Sequence, residues 1–181
     1  MRITDYITEI NGHELLLRNA EEKDAELLLE YLKITSGETR VLVREPEEIT
    51  MTLEEERDFI KAQNESSSNL MLLGFLDGKH VGNCSFFGNV QSRYQHRANM
   101  AIALYKKYTG MGIGTVMLNK LIGAAKEAGL EQMELEVVAD NEKAIGLYRK
   151  MEFEVYGKFP NNMKYKDGTY ADMYWMMKKL G

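Results

Sequence analysis

The segment Tyr105-Lys-Lys-Tyr-Thr-Gly-Met-Gly-Ile-Gly-Thr115 limits the fold more than any other stretch of the chain. Before it, Arg97 to Tyr105 is almost continuously apolar and reads as a buried strand. After it, Met111 to about Ala128 reads as a helix with Gly129 as its stop. Gly110, Gly112 and Gly114 strip side chains from the turn between them, so a ligand can reach backbone N–H groups. The first four amides of a helix lack internal partners, and its dipole places about half a positive charge there. A phosphate or pyrophosphate is the natural occupant. The P-loop pattern is excluded, because no Gly-Lys-Ser/Thr follows. The G-x-G-x-x-G pattern also fails, since counting from Gly110 reaches Thr115 and from Gly112 reaches Met117. Tight packing of a turn would equally account for three glycines, so the motif alone leaves both readings open.

The other elements follow from periodicity and end signals. His13 to Arg18 reads as a strand, and Glu21 to about Leu32 carries a helical apolar stripe. Thr52 with Glu55 forms a capping box that opens a helix through about Gln63. Leu70–Leu76 and Lys79–Phe87 are apolar runs joined by Asp77-Gly78, a hairpin signal. Gln132–Ala139 reads as a strand and Asn141–Met151 as a short helix; Phe153–Phe159 and Tyr170–Lys178 read as closing strands. The order β-α-α-β-β-β-α-β-α-β-β predicts an α+β fold, a mixed, mostly antiparallel sheet of about seven strands with about four helices. No linker or repeat divides the chain, so residues 1–181 are expected to form one domain.

The formal charge of −5 is unevenly spread. Glu21–Asp58 holds 13 acids and 5 bases, a net of −8, whereas Gly78–Lys126 holds seven bases and no acid. The second stretch, which contains the glycine turn, can hold an anion; solvated faces of opposite sign are the plainer reading. Nucleic acid is disfavoured, because the chain is acidic overall and has no basic helix with interleaved aromatics. A lone cysteine, Cys84, excludes a disulfide framework, and scattered His13, His80 and His96 lack metal-ligand spacing. No apolar run approaches a membrane span and the first residues lack a signal-peptide core, so the expected compartment is the cytoplasm.

A second motif lies downstream: Asn141-Glu-Lys-Ala-Ile-Gly-Leu-Tyr-Arg-Lys-Met-Glu-Phe153. Strand, x-x-G-x-G turn, helix, strand, then N-x-x-A-I-x-L-Y-x-K-x-x-F resembles the GNAT family of acyl-CoA-dependent N-acyltransferases. The likeness covers about residues 97 to 160. Thr4–Arg18, the acidic helices and Asp167–Met173 look like the branch that acetylates ribosomal-protein N-termini or polyamines.

The resemblance implies acetyl-CoA as cosubstrate, no metal, and transfer of an acetyl group to a primary amine. Thr109, Gly110, Met111, Gly112, Ile113, Gly114 and Thr115 would cradle the pyrophosphate. Ile102, Ala103 and Leu104 would pair with the pantetheine arm. Asn141, with Ala144 in the same motif, would lie along that arm, and Tyr148, two helical turns on, would stand near the departing thiolate as general acid. Two residues depart from the family pattern. Thr109 stands where Gln or Arg is usual, able to cap the helix but not to reach far, and Asn99 stands where relatives often carry a Glu base.

An amine must shed a proton before it attacks a thioester, and no base stands out. Glu134 and Glu136 share one strand face and could reach the acceptor or simply be solvated; Glu38 and Glu45 are further candidates, and a water chain needs none of them. His96 reads as a surface or structural histidine and Cys84 as inert core. Most of the 12 methionines read as core filling. The last strand, with Trp175, can serve the core or a homodimer. With no activated nucleophile, direct transfer in a ternary complex is the expected mechanism. The −8 segment suggests a cationic acceptor: a polyamine, an aminoglycoside-like amine or a peptide N-terminus. A non-catalytic acyl-CoA sensor is the alternative from another functional class.

Overall fold

The computed structural model describes residues 1–181. Eight strands form one sheet: β1 (Tyr6–Ile10), β2 (His13–Asn19), β3 (Asn69–Leu76), β4 (Lys79–Gly88), β5 (Arg97–Leu104), β6 (Gln132–Val138), β7 (Glu154–Lys164) and β8 (Tyr170–Lys179). Four helices accompany them: α1 (Ala25–Glu38), α2 (Leu53–Glu65), α3 (Ile113–Glu127) and α4 (Glu142–Lys150). The sheet order is β1-β2-β3-β4-β5-β6-β8-β7, and every neighbouring pair is antiparallel except β5 and β6. The strand that brings the count from about seven to eight is β1. It hairpins onto β2 through Asn11 and Gly12, whose φ angles of 52° and 79° suit a two-residue turn. The Asp77-Gly78 turn between β3 and β4 also has both φ angles positive, at 48° and 76°.

Two helix pairs take opposite faces. Leucines of β2 and β3 and alternate residues of β4 to β6 (Phe86, Ala98, Met133) meet Ile113, Met117, Leu118, Leu121, Ile145 and Tyr148 of α3 and α4 in the main core. On the other face, Met71 and Leu73 meet Ala25, Leu28 and Tyr31 of α1 and Ile60 of α2. Burying residues like these is worth about 1.5–3 kcal/mol per large apolar side chain. The expected buried strand is β5, but only one of its faces is buried. Ala98 and Met100 are buried, but Asn99 and Ala101 are exposed. The reason is the reach of α1 and α2, which cover the β2–β4 side and leave the face from β5 to β7 open.

The predicted capping box is present. The Thr52 hydroxyl accepts the Glu55 N–H at 3.2 Å while the Glu55 carboxylate accepts the Thr52 N–H at 2.7 Å. No helix is long and apolar enough to cross a membrane.

Candidate active site

β5 and β6 pair over three residues only, Arg97–Asn99 with Gln132–Glu134. Beyond that point the strands part, and β6 continues along β8 as far as Val138. Tyr105 N–H donates to Val81 O on the β4 side of β5, so by alternation the backbone groups of Ile102 and Leu104 face the opening. Those groups are a ready edge for an extended ligand arm. Ala103 has the opposite parity, and its carbonyl accepts a 2.8 Å hydrogen bond from the Tyr31 hydroxyl, which ties α1 to the end of β5.

The glycine turn lies at the end of this opening. Gly112, at φ 85°, is the N-cap of α3, and Gly110 is also left-handed at φ 81°. The Thr109 and Thr115 amides are satisfied by the carbonyls of Lys106 and Gly112. Between them, the amides of Gly110, Met111, Gly112, Ile113 and Gly114 have no hydrogen-bond partner within the chain. Five consecutive free donors at the start of a 15-residue helix with no acid in its first turn are the arrangement that favours an anion. Lys106 and Lys107 flank it, exposed and free of ion pairs. Thr109 does not cap α3 as its sequence position allowed; its hydroxyl donates to Lys106 O at 2.8 Å.

Gly114 lets three elements converge. A Cβ there would sit 3.1 Å from Leu147 Cδ2 of α4, 3.8 Å from Leu104 Cδ1 and 3.9 Å from Ile102 Cδ1. The first turn of α3, the end of β5 and the C-terminal half of α4 are therefore in contact. Tyr148 follows Leu147, is 7% exposed, and meets Phe153 edge-on at 6.1 Å. Its hydroxyl has no protein partner, and burial pushes its pKa up to about 12, so it is a protonated donor at neutral pH. Asn141 caps α4, its Oδ1 accepting the Ala144 N–H at 3.3 Å.

Of the carboxylates considered as bases, most are engaged. Glu134 is buried and holds Arg97 Nη1 through both oxygens at 2.9 and 2.7 Å, with Gln132 Nε2 at 2.6 Å. Glu38 accepts the Lys106 N–H at 2.7 Å, and Glu45 pairs with Lys166 at 3.4 Å. Glu136 is exposed and unpaired on the open face, opposite Trp175 of β8. His96 is exposed, and Cys84 is buried with its thiol pKa pushed upward. Glu56 was missed from sequence. It is 3% exposed without a hydrogen bond, and burial raises its pKa to about 7 against the pull of Arg44. Its spacing from Ile60 and Gln63, on the inward stripe of α2, was the available signal.

The open face is bounded by the loop after α1. Arg40 lies 3.6 Å above the Tyr165 ring and donates to the Thr169 hydroxyl at 3.0 Å. Lys166 reaches Glu47 at 3.3 Å, so the loop is strapped to the β7–β8 turn. Trp175 is partly exposed there and stacks on Phe159 at 6.0 Å.

A parted strand edge that runs into a helix start with free amides gives the geometry a long ligand with a phosphate end would need. The chain belongs to the acetyltransferase (GNAT) family, whose profile matches residues 30–153. It is similar to the L-amino acid N-acetyltransferase of Escherichia coli, 27% identical over 110 residues, 59% of this chain and 66% of that protein. The match thus spans slightly less than two thirds of that relative. An acetyltransferase of the GNAT family from Streptococcus pneumoniae superposes with a TM-score of 0.88 at 32% identity, covering 91% of this chain and 99% of that one. A Salmonella typhimurium protein solved with its cofactor acetyl-CoA shares the fold at a TM-score of 0.80 and 19% identity, over 97% and 95% of the two chains.

Proposed function

We propose that residues 1–181 act as one domain that transfers an acetyl group from acetyl-CoA to a primary amine by direct attack. The observation that carries this reading is the run of five free amides from Gly110 to Gly114 at the end of the β5–β6 opening. The cradle takes the pyrophosphate, and the edges of Ile102 and Leu104 take the pantetheine arm. That arm aims the thioester at the open face where Asn99, Ala101 and Glu136 are exposed. The amine nitrogen attacks the thioester carbonyl carbon, the C–S bond breaks, and the thiolate takes the proton of the Tyr148 hydroxyl. The proton lost by the amine leaves through solvent, with Glu136 as an exposed, unpaired carboxylate on that face.

For the acceptor, the Escherichia coli relative named for L-amino acids points to a small amine. The acidic segment favours a cationic one less than its count suggests, because Asp24, Glu38, Glu45 and Glu47 are held by Arg18, Lys106 N–H and Lys166. The absence of Glu at position 99, together with the ion-paired Glu134, favours the non-catalytic sensor as second reading. A panel of amino acids, polyamines and peptides with acetyl-CoA, read by thiol release and mass spectrometry, decides between them. We expect acetylation of at least one amine. We also expect a Tyr148→Phe variant with kcat lower by about 10²-fold and acetyl-CoA affinity within twofold. An unchanged kcat would remove Tyr148 from the reaction, and saturable binding without turnover on any amine would leave the sensor.

A further inference from the structure

The β1–β2 hairpin touches the cradle at two points. The Asn11 side-chain amide donates to the Met111 carbonyl at 3.0 Å, and Ile10 Cδ1 lies 3.3 Å from where a Gly112 Cβ would be. The Met111 carbonyl and the Gly112 N–H belong to one planar trans peptide unit, so they point in opposite directions. Gly112 adopts φ 85° and, having no Cβ, could as readily adopt a negative φ by rotation of that peptide plane. Such a flip would turn the central one of the five free amides away from the ligand. The hydrogen bond from Asn11 holds the carbonyl outward, and so holds the Gly112 N–H inward.

We infer that Asn11 is a positioning residue for the pyrophosphate, acting through the Met111–Gly112 peptide. The inference rests on the reading of this turn as the pyrophosphate cradle. Asn11 itself has φ 52° in the hairpin turn, which suits Asn and Gly but not most other residues. Asn11→Gly therefore keeps the turn while deleting the donor. Asn11→Asp keeps the shape but sets a carboxylate against the carbonyl.

The readout is the ratio of kcat/KM for acetyl-CoA to kcat/KM for S-acetylpantetheine, which lacks the pyrophosphate. Folding is checked by thermal melts. Asn11→Gly should lower that ratio by about 3–10-fold through KM, and Asn11→Asp should lower it further. A ratio equal to wild type in both variants overturns the role of Asn11. An equal loss with both donors overturns it too, because that is what general loosening of the hairpin would give. A wild-type ratio near one would instead overturn the cradle reading itself, so the two failures are distinguishable.

Discussion

Glu56 shows how a single side chain can work against the fold that contains it. It projects from the inward stripe of α2 and is 3% exposed, with no hydrogen-bond partner and only the pull of Arg44 to offset its burial. In the unfolded chain it titrates at an ordinary value near 4.5, whereas in the fold burial raises this to about 7. Below pH 4.5 both states are protonated and the residue costs nothing. Between pH 4.5 and 7 the unfolded state loses its proton first, so stability is lost as pH rises, and the full penalty stands above pH 7. Glu56→Gln should therefore stabilise the protein by about 1–3 kcal/mol at pH 8 and by nothing measurable at pH 4. Urea unfolding at both pH values checks this, and an equal gain at both would show that charge is not the cause. His80 follows the opposite sign: burial lowers its pKa, so the fold loses stability as pH falls below 6.5. Local pairings such as Thr52 with Glu55 were legible in sequence because partner and spacing lie within one turn. The pairing of Glu134 with Arg97 was not, because the two residues lie 37 positions apart on strands joined only by tertiary structure.

At the level of elements, glycines separate positions where backbone needs space from positions where it only tolerates it. Gly82 in β4 has φ 155°, and a Cβ there would lie 2.3 Å from the Ala103 carbonyl oxygen and 2.7 Å from Leu104 Cα. The obstacle is backbone, and it belongs to the end of β5 that borders the opening. Gly123 sits within α3 at helical φ, and a Cβ there would meet nothing within 4 Å. Gly82→Ala should cost about 2–4 kcal/mol and weaken acetyl-CoA binding, while Gly123→Ala should add about 0.5–1 kcal/mol. Melting temperatures of the two variants test the pair, and loss of stability in both would refute the packing argument. Sequence patterns located α3, the β3–β4 hairpin and the capped α2 because periodicity and turn residues act locally. They did not reveal β1, whose residues are mostly exposed and carry little apolar alternation. Nor did they show that β5 is open on one face, since an apolar run cannot say which neighbours cover it.

At the scale of the whole molecule, two electrostatic effects of opposite sign act on an anionic cosubstrate. The net charge of −5 would repel it, while at the proposed cradle Lys106, Lys107 and the five free amides would attract it. Distance decides which wins. A chain of this length has a radius of gyration of about 16 Å, whereas the Debye length is about 10 Å at 0.1 M salt. Most of the repulsion therefore comes from charges beyond screening range, and the two lysines act from within one short turn of the cradle. Attraction should dominate, and kcat/KM for acetyl-CoA should fall several-fold between about 0.05 and 0.3 M salt. The Lys106→Gln/Lys107→Gln double variant should flatten or reverse that slope while kcat at saturation changes little, because neither lysine is needed to place the thioester. Stopped-flow measurement of CoA association across the same salt range isolates the effect in the on-rate. A wild-type rate that rises with salt would mean that the total charge outweighs its distribution, and that the basic stretch from Gly78 to Lys126 does not steer the ligand.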